Sequence, residues 1–167
     1  MIFIAPAYPG GRLSHKRLPQ RARRGADLVL IDTPREANNA GYIAAQAADF
    51  VLIPFKLGGF DFRALKRTLD LCRIANKRPC LLLNGMRIGA SRVEADARAA
   101  LAAQECDVAP VVFHDRAAYV TASITTKTAQ ETNPVSDAAA ETQALFLWIA
   151  GQLELSTTPQ HNRKAIA

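Results

Sequence analysis

The sequence predicts an α/β fold in which a mostly parallel, doubly wound sheet is covered by helices on both faces. Three short apolar runs, at 27–32, 50–54 and 80–84, are each followed by a stretch with helical spacing. Continuous apolar runs of this length are typical of strands that are buried on both faces. Two of the runs end in a polar side chain, Asp32 and Asn84. Open α/β sheets bind their ligands at such strand ends, so these two residues are the first candidates for a site.

The first half of the chain follows this alternating order. We expect a strand at 1–5 and a basic helix or loop over 12–24, interrupted near Pro19. The elements expected next are a strand at 27–32, a helix at 38–47, a strand at 50–54, a helix at 62–76 and a strand at 80–84.

The second half continues the pattern. Ser91 and Glu94 have the spacing of a capping box, which predicts that an alanine-rich helix starts there and runs to about residue 103. The last strand is expected at 108–113, where Pro110 indicates an edge position. A short helix should follow Asp115, and a long helix should cover 136–155. The long helix carries an apolar stripe that we expect to pack on the sheet: Ala140, Leu145, Trp148, Ile149 and Leu153.

Size and composition fit one globular domain. The chain has 167 residues, and 49% of them are hydrophobic, which is enough to bury a core. We expect the domain to cover 1–155 and a disordered tail to cover 156–167. No apolar run is long enough to span a membrane and no signal peptide is evident, so a cytoplasmic location without membrane contact is expected. The three cysteines lack metal-ligand spacing and should be buried and reduced.

The net charge of +6 is concentrated at the start of the chain. All fifteen acidic residues lie at or after Asp27, and fifteen of the 21 basic residues lie there too, so the excess comes entirely from the first 26 residues. The six basic residues of this cluster are Arg12, Lys16, Arg17, Arg21, Arg23 and Arg24. Such a cluster attracts the phosphates of nucleic acid without reading sequence, or it is simply a solvated surface.

Each candidate site residue also has a structural interpretation. Asp32 either serves a ligand or caps the helix that follows Pro34, since aspartate is a favoured N-cap. Asn84 offers a donor and an acceptor to a base edge, or it forms a turn with Gly85. The histidines lie far apart in the sequence, and we interpret none of them as catalytic or metal-binding.

Four segments together resemble the second half of the ParA/MinD (Soj-like) family of Walker-type ATPases, and they keep its order and spacing over roughly 27–150. They are Asp32-Thr33-Pro34, the run from Ala48 to Pro54, the run from Leu81 to Asn84, and the stretch from Arg116-Ala117-Ala118-Tyr119 to Glu131. Two positions depart from the family: Arg35 stands where proline or glycine is common, and Thr126 stands where glycine is usual.

The resemblance implies a P-loop NTPase-like fold and the activity of a partitioning ATPase that moves plasmids or chromosomes. By this resemblance Asp32, with Thr33 and Pro34, belongs to the Walker B element and holds the Mg²⁺ of ATP through water. Asn84 reads the adenine, and Arg87 lies beside it. The implied partners are a second copy in an ATP-dependent homodimer, nonspecific DNA, and a ParB-like or other cargo adaptor.

The glycine-rich phosphate loop of that family is missing from this sequence. The nearest candidate, residues 9–16, has no glycine before Lys16 and no Ser or Thr after it, and Pro19 interrupts the helix that should face the phosphates. We therefore expect the chain to lack the family's first strand, phosphate loop and first helix, to bind ATP and Mg²⁺ weakly if at all, and to be inactive alone. A sheet without its first strand should expose apolar surface and self-associate or need a partner. The alternative function is a non-enzymatic DNA-binding or adaptor module that partners a full-length ParA-like ATPase, or a decayed gene product.

Overall fold

A computed structural model describes residues 2–6, 28–33, 39–57 and 61–155, and at 2–6 and 61–64 it describes the backbone alone. Its strands are β1 (Ile2–Pro6), β2 (Leu28–Asp32), β3 (Phe50–Phe55), β4 (Cys80–Met86) and β5 (Asp107–His114). Its helices are α1 (Asn39–Ala47), α2 (Asp61–Ile74), α3 (Ser91–Ala102), α4 (Ala117–Ile124), α5 (Ala129–Thr132) and α6 (Asp137–Gln152). The predicted α/β class is confirmed. The predicted basic segment at 12–24 and the predicted disordered tail at 156–167 lie outside the described residues.

The five strands form one sheet in the order β2-β1-β3-β4-β5. β3, β4 and β5 are parallel neighbours, as the strand–helix alternation predicts. β1 is antiparallel to both of its neighbours, β2 and β3, so those two strands run in the same direction. The strand expected at 1–5 is therefore confirmed, and it takes an interior position that its sequence did not indicate. The edge position that Pro110 indicated for β5 is also confirmed.

Helices cover both faces of the sheet. On one face, Val51 and Ile53 of β3 and Leu81 and Leu83 of β4 pack in a cluster that includes residues of α1, α2 and α3. On the other face, the alternate strand residues Leu52, Leu82 and Ala109 pack with Ile149 of α6. Successive side chains of a strand point to opposite faces of the sheet, and here the side chains on both faces are apolar. The strands therefore appear in the sequence as continuous apolar runs.

Local details differ from expectation at three places. The capping box at Ser91 is wrong, because α3 begins at Ser91 itself and Ala90 is its N-cap, without a side-chain cap. A capping box does form at the short α5, where Thr128 and Glu131 satisfy each other's backbone amides. Ser136 is the N-cap of α6, close to the predicted start of this helix. Ala140, one residue of the predicted apolar stripe, is exposed. The other four stripe residues pack on the sheet.

Candidate nucleotide-binding edge

The candidate site lies at the carboxyl ends of β4 and β5. Asn84 is exposed near the end of β4 and is the register partner of Phe113 on β5. Among the described residues, no hydrogen bond to its side-chain amide is seen. The amide is thus available to a ligand, as an adenine-reading residue requires.

Gly85 explains why the strand changes course directly after Asn84. Its φ of +66° is in the left-handed region, and the register between β4 and β5 shifts between Asn84 and Met86. Glycine tolerates this conformation because it has no Cβ. A Cβ at this position would lie 3.3 Å from Cε of Lys56, so the stem of this exposed lysine, which directly follows β3, lies against the glycine.

Arg87 lies three residues beyond Asn84, in the turn after β4, and its side chain is exposed. Its backbone carbonyl accepts a hydrogen bond from the amide of Ala90 at 3.2 Å, which closes the turn. The end of β4 is also fixed to β5, because the amide of Asp115 donates to the carbonyl of Met86 at 2.7 Å. Asn84 and Arg87 therefore both lie at the carboxyl end of β4, and their roles in reading adenine stay a prediction.

A polar network holds the neighbouring end of β5. The Glu141 carboxylate, on the first turns of α6, lies 2.7 Å from Nδ1 of His114 and accepts from Nε of Arg116 at 2.8 Å. Its other oxygen accepts from the backbone amide of His114 at 3.2 Å and from the hydroxyl of Tyr119 at 2.9 Å. Arg116 also pairs with Asp137, at 2.7 Å. One carboxylate thus ties β5, α4 and α6 together.

The ionisation of this network follows from its contacts. Burial raises the pKa of the Glu141 carboxyl group, but the hydrogen bonds from three side chains and one amide outweigh burial and hold it below its usual value. An ionised carboxylate only accepts, so Nδ1 of His114 carries a proton. Burial also raises the pKa of Tyr119 to about 12. The hydrogen bond to Glu141 raises the pKa of Arg116. Because donors surround Glu141, it positions its neighbours and is not a free base.

The network sets the surface beside Asn84. Tyr119 stacks on Phe113 with ring centroids 5.5 Å apart and an angle of 13° between the ring planes. Its hydroxyl is held by Glu141, and both rings are half-buried. Phe113 is the register partner of Asn84, so the exposed amide and the stacked rings belong to neighbouring residues at the ends of β4 and β5.

Asp32 is not part of this constellation. Its Cα pairs with Ile2, which pairs with Leu52, and Leu52 pairs with Cys80, so Asp32 lies level with the first residue of β4. Asn84 lies three strands away, at about 4.8 Å per strand, and four residues further along, at about 3.3 Å per residue. Asp32 and Asn84 are therefore about 19 Å apart. Asp32 is exposed and Thr33 is half-buried, whereas Pro34 lies outside the described residues.

The described residues bring together only part of what ATP and Mg²⁺ would need. Asn84 offers an exposed amide at the end of β4, whereas β1 separates the Asp32 strand from β3. Residues 9–16, the nearest candidate for a phosphate loop, lie outside the described residues. In the part of the chain that the structure describes, no group of three or more His, Cys, Asp or Glu side chains is arranged to hold a metal ion. The role of Asp32 in holding Mg²⁺ through water stays a prediction.

Sequence reasoning missed Glu141 as the partner of His114. Glu141 lies 27 residues from His114, and nothing in its helix marks it as more than a surface residue. Lys56 was also missed, since no local pattern places its stem against Gly85. The six basic residues of the predicted DNA-binding cluster, from Arg12 to Arg24, lie outside the described residues.

No helix within the described ranges combines the length and the apolar character needed to cross a membrane. The chain matches no family model, no curated protein and no solved structure.

Proposed function

We propose that this chain is a ParA-like nucleotide-binding domain of the DNA-partition class that keeps the base-recognising end of a nucleotide site and, by itself, does not hydrolyse ATP. The observation that carries the proposal is the exposed amide of Asn84 at the end of β4, whose register partner Phe113 stacks on Tyr119. Hydrogen-bond donors and acceptors next to an apolar wall are what discriminate one base from another.

The lack of turnover follows from what the phosphates would need. A phosphate loop supplies oriented backbone amides, a helix N-terminus and lysines, which together provide most of the binding energy and stabilise the transferring phosphoryl group. With these groups missing from the sequence, we expect millimolar or no affinity for ATP–Mg²⁺ by titration calorimetry and no ATPase activity above background. Micromolar binding that Asp32→Ala abolishes would overturn the proposal.

Base recognition needs a separate test that does not depend on the phosphates. Adenosine titrated at millimolar concentration should shift the amide resonances of Asn84 and its neighbours in an NMR spectrum, and guanosine should shift them less. Asn84→Ala should remove the adenosine response. Gln143→Ala removes an exposed amide from α6 and should leave it unchanged. Equal responses to the two nucleosides, or an unchanged response in Asn84→Ala, would contradict base recognition at Asn84.

The DNA part of the proposal rests on the charge distribution. All of the excess positive charge precedes Asp27, so duplex DNA should bind without sequence preference and more weakly as salt rises. Changing Arg21, Arg23 and Arg24 together to glutamine should lower the salt slope by about one unit for each phosphate that the protein no longer neutralises. A matched triple change at Arg67, Arg73 and Arg78 removes the same charge elsewhere, where Arg73 and Arg78 are already paired with aspartates at 2.9 Å. If both triples bind DNA as the parent does, the cluster is a solvated surface.

A further inference from the structure

His114 is held through one nitrogen of its imidazole ring. Nδ1 lies 2.7 Å from the carboxylate of Glu141, and the backbone amide of His114 donates to the other oxygen of that carboxylate at 3.2 Å. Since an ionised carboxylate only accepts, Nδ1 carries the proton, and the lone pair of the neutral ring is on Nε2. No hydrogen bond to Nε2 is formed by the residues that the structure describes. The ring therefore presents a second nitrogen that can form a new bond.

The accessible edge of the ring is the one that carries Nε2. Glu141, which holds Nδ1, is 12% exposed, whereas the His114 side chain is 27% exposed. The exposed part of the ring therefore lies on the edge away from Glu141. His114 lies well inside the described range 61–155, so its neighbours along the chain are all described. A small molecule in solution can reach Nε2 from this edge.

The carboxylate of Glu141 is itself fixed and cannot turn away from His114. One of its oxygens also accepts from Nε of Arg116 at 2.8 Å, and the other accepts from the hydroxyl of Tyr119 at 2.9 Å. A carboxylate on Nδ1 orients an imidazole and stabilises the positive charge that the ring gains when Nε2 forms a new bond. The pair of His114 and Glu141 is thus arranged for attack by Nε2 on an electrophile.

The surroundings of the ring favour an uncharged electrophile. Asp115 follows His114, and Arg87 follows Met86, its register partner on β4. Among the charged residues that adjoin the ring, three carboxylates stand against two guanidinium groups: Glu141, Asp137 and Asp115 against Arg116 and Arg87. The excess negative charge repels anions such as phosphoryl donors.

An apolar surface adjoins the same carboxylate. The half-buried ring of Phe113, the residue before His114, stacks on Tyr119 with centroids 5.5 Å apart, and the Tyr119 hydroxyl shares Glu141 with His114. Stacked aromatic rings offer apolar contact to the body of a substrate. The charge and the rings together suit an uncharged acyl or aryl group.

We propose that Nε2 of His114 is a nucleophile for uncharged acyl groups, and that through it the chain hydrolyses activated esters. The lone pair of Nε2 forms a bond to the carbonyl carbon, and the ester carbon–oxygen bond breaks, so the leaving group departs with that electron pair. The acylated ring is a cation that Glu141 stabilises. Water then attacks the acyl carbon, the bond to Nε2 breaks and returns its electron pair to the ring, and the proton that water loses neutralises the leaving group. The reaction uses neither Asn84 nor a nucleotide, so it stands apart from the proposed function.

The first test is the hydrolysis of p-nitrophenyl acetate at neutral pH, followed by the release of p-nitrophenolate. A positioned catalytic group contributes about 100-fold or more, and lysines and the other histidines add a background, so His114→Gln should lower kcat/KM by roughly tenfold. His161→Gln is the matched control and should act on the ester as the parent does. Circular dichroism checks that both variants are folded. Parent activity no higher than that of folded His114→Gln would overturn the proposal.

A second test uses the parent chain and does not depend on the folding of a variant. Diethyl pyrocarbonate, an uncharged acylating reagent, should modify His114 before His15 and His161, as measured over time by mass spectrometry of proteolytic peptides. A His114 that reacts no faster than the other two would contradict its role as a nucleophile.

The same reagent tests whether Glu141 positions the ring. Glu141→Gln should slow the modification of His114 and leave His15 and His161 unchanged, whereas Asp70→Asn, at an exposed carboxylate on α2, should slow none of the three. The nitrogen chemical shifts of the His114 ring should place the proton on Nδ1 in the parent chain, which a purely structural role does not require. Equal rates for His114 in the parent and in Glu141→Gln, or a proton on Nε2 in the parent, would rule out activation by this carboxylate.

Discussion

Glu141→Gln is the sharpest test of the network at the end of β5. The carboxylate has two oxygens, and each accepts from two donors. Glutamine has the same shape, but whichever way its amide is placed, the NH₂ group faces two donors and cannot accept from them. The side chain of Glu141 is 12% exposed, so water can replace few of these hydrogen bonds.

The size of the effect follows from these contacts. Removing one partner of a fully buried ion pair costs about 3–5 kcal/mol, and each unsatisfied buried donor costs about 1–3 kcal/mol. Arg116 and His114 are themselves 20% and 27% exposed, which lowers the penalty. We expect Glu141→Gln to lower the free energy of unfolding by about 2–3 kcal/mol, which corresponds to a fall in Tm of roughly 4–12 °C for a chain of this size.

The effect should depend on pH with a defined sign. The pKa of Glu141 is lower in the folded chain than its ordinary value of 4.5. The contribution of Glu141 to the free energy of unfolding is therefore fully present above pH 4.5, and it declines as the pH falls through the pKa of the folded state. The difference in stability between parent and Glu141→Gln should be largest at neutral pH and should shrink below 4.5.

Urea unfolding followed by circular dichroism measures both quantities. Asp70→Asn is the matched control, since it removes the same charge from an exposed pair with Arg73 and should cost less than about 1 kcal/mol. A Glu141→Gln variant no less stable than Asp70→Asn, or a destabilisation that stays constant from neutral to acid pH, would refute the reasoning.

Two further predictions concern glycines and thiols. Gly85→Ala should destabilise the chain by about 1–2 kcal/mol in chemical denaturation, since its φ of +66° strains an L-residue. Gly151→Ala, in α6, should instead stabilise the chain by roughly 0.5 kcal/mol, since its added Cβ meets nothing within 4 Å outside the adjoining backbone of its own helix. A shift of the same sign in both variants would contradict this. Burial raises the pKa of Cys72 to about 11 and that of Cys80 to about 12, so both thiols should react slowly with a disulfide reagent at pH 8 until denaturant is added. Rapid labelling of the folded chain would show that these side chains are accessible.

Strands β2, β3 and β4 were predictable because each is a continuous apolar run. The bounds of β2 to β5 lie within one or two residues of the expected positions. Pro54 is a proline in an interior strand, but it lies beyond Leu52, the last residue of β3 that pairs with β1. The partner of each strand was not predictable, because periodicity shows that a run is a strand and does not show where it pairs. β1 therefore carried no sign of its antiparallel place between β2 and β3.

The site was predictable only where a single strand end carries it. Asn84 was found from the end of β4, whereas the stacked pair of Phe113 and Tyr119 depends on Glu141, which a distant helix supplies. Local spacing does not report such a long-range contact. Ser91 failed as a cap for a different reason, because Ala90 takes the N-cap position and Ser91 is already the first residue of the helix. Its expected capping partner, Glu94, instead holds Arg98, which reaches the carbonyls of β5.

The interior position of β1 has a consequence for how the chain unfolds. Within the described ranges, β2 is joined to the sheet by backbone pairing with β1 alone, whereas β3, β4 and β5 are joined by parallel pairing with a helix between each pair. Breaking the pairing of β1 with β3 releases two strands together and leaves the parallel part intact. The chain should therefore contain two cooperative units of different stability. Amide hydrogens of β1 and β2 should exchange with solvent through partial opening, and those of β4 only through global unfolding. The carboxylate of Asp32 belongs to the weaker unit.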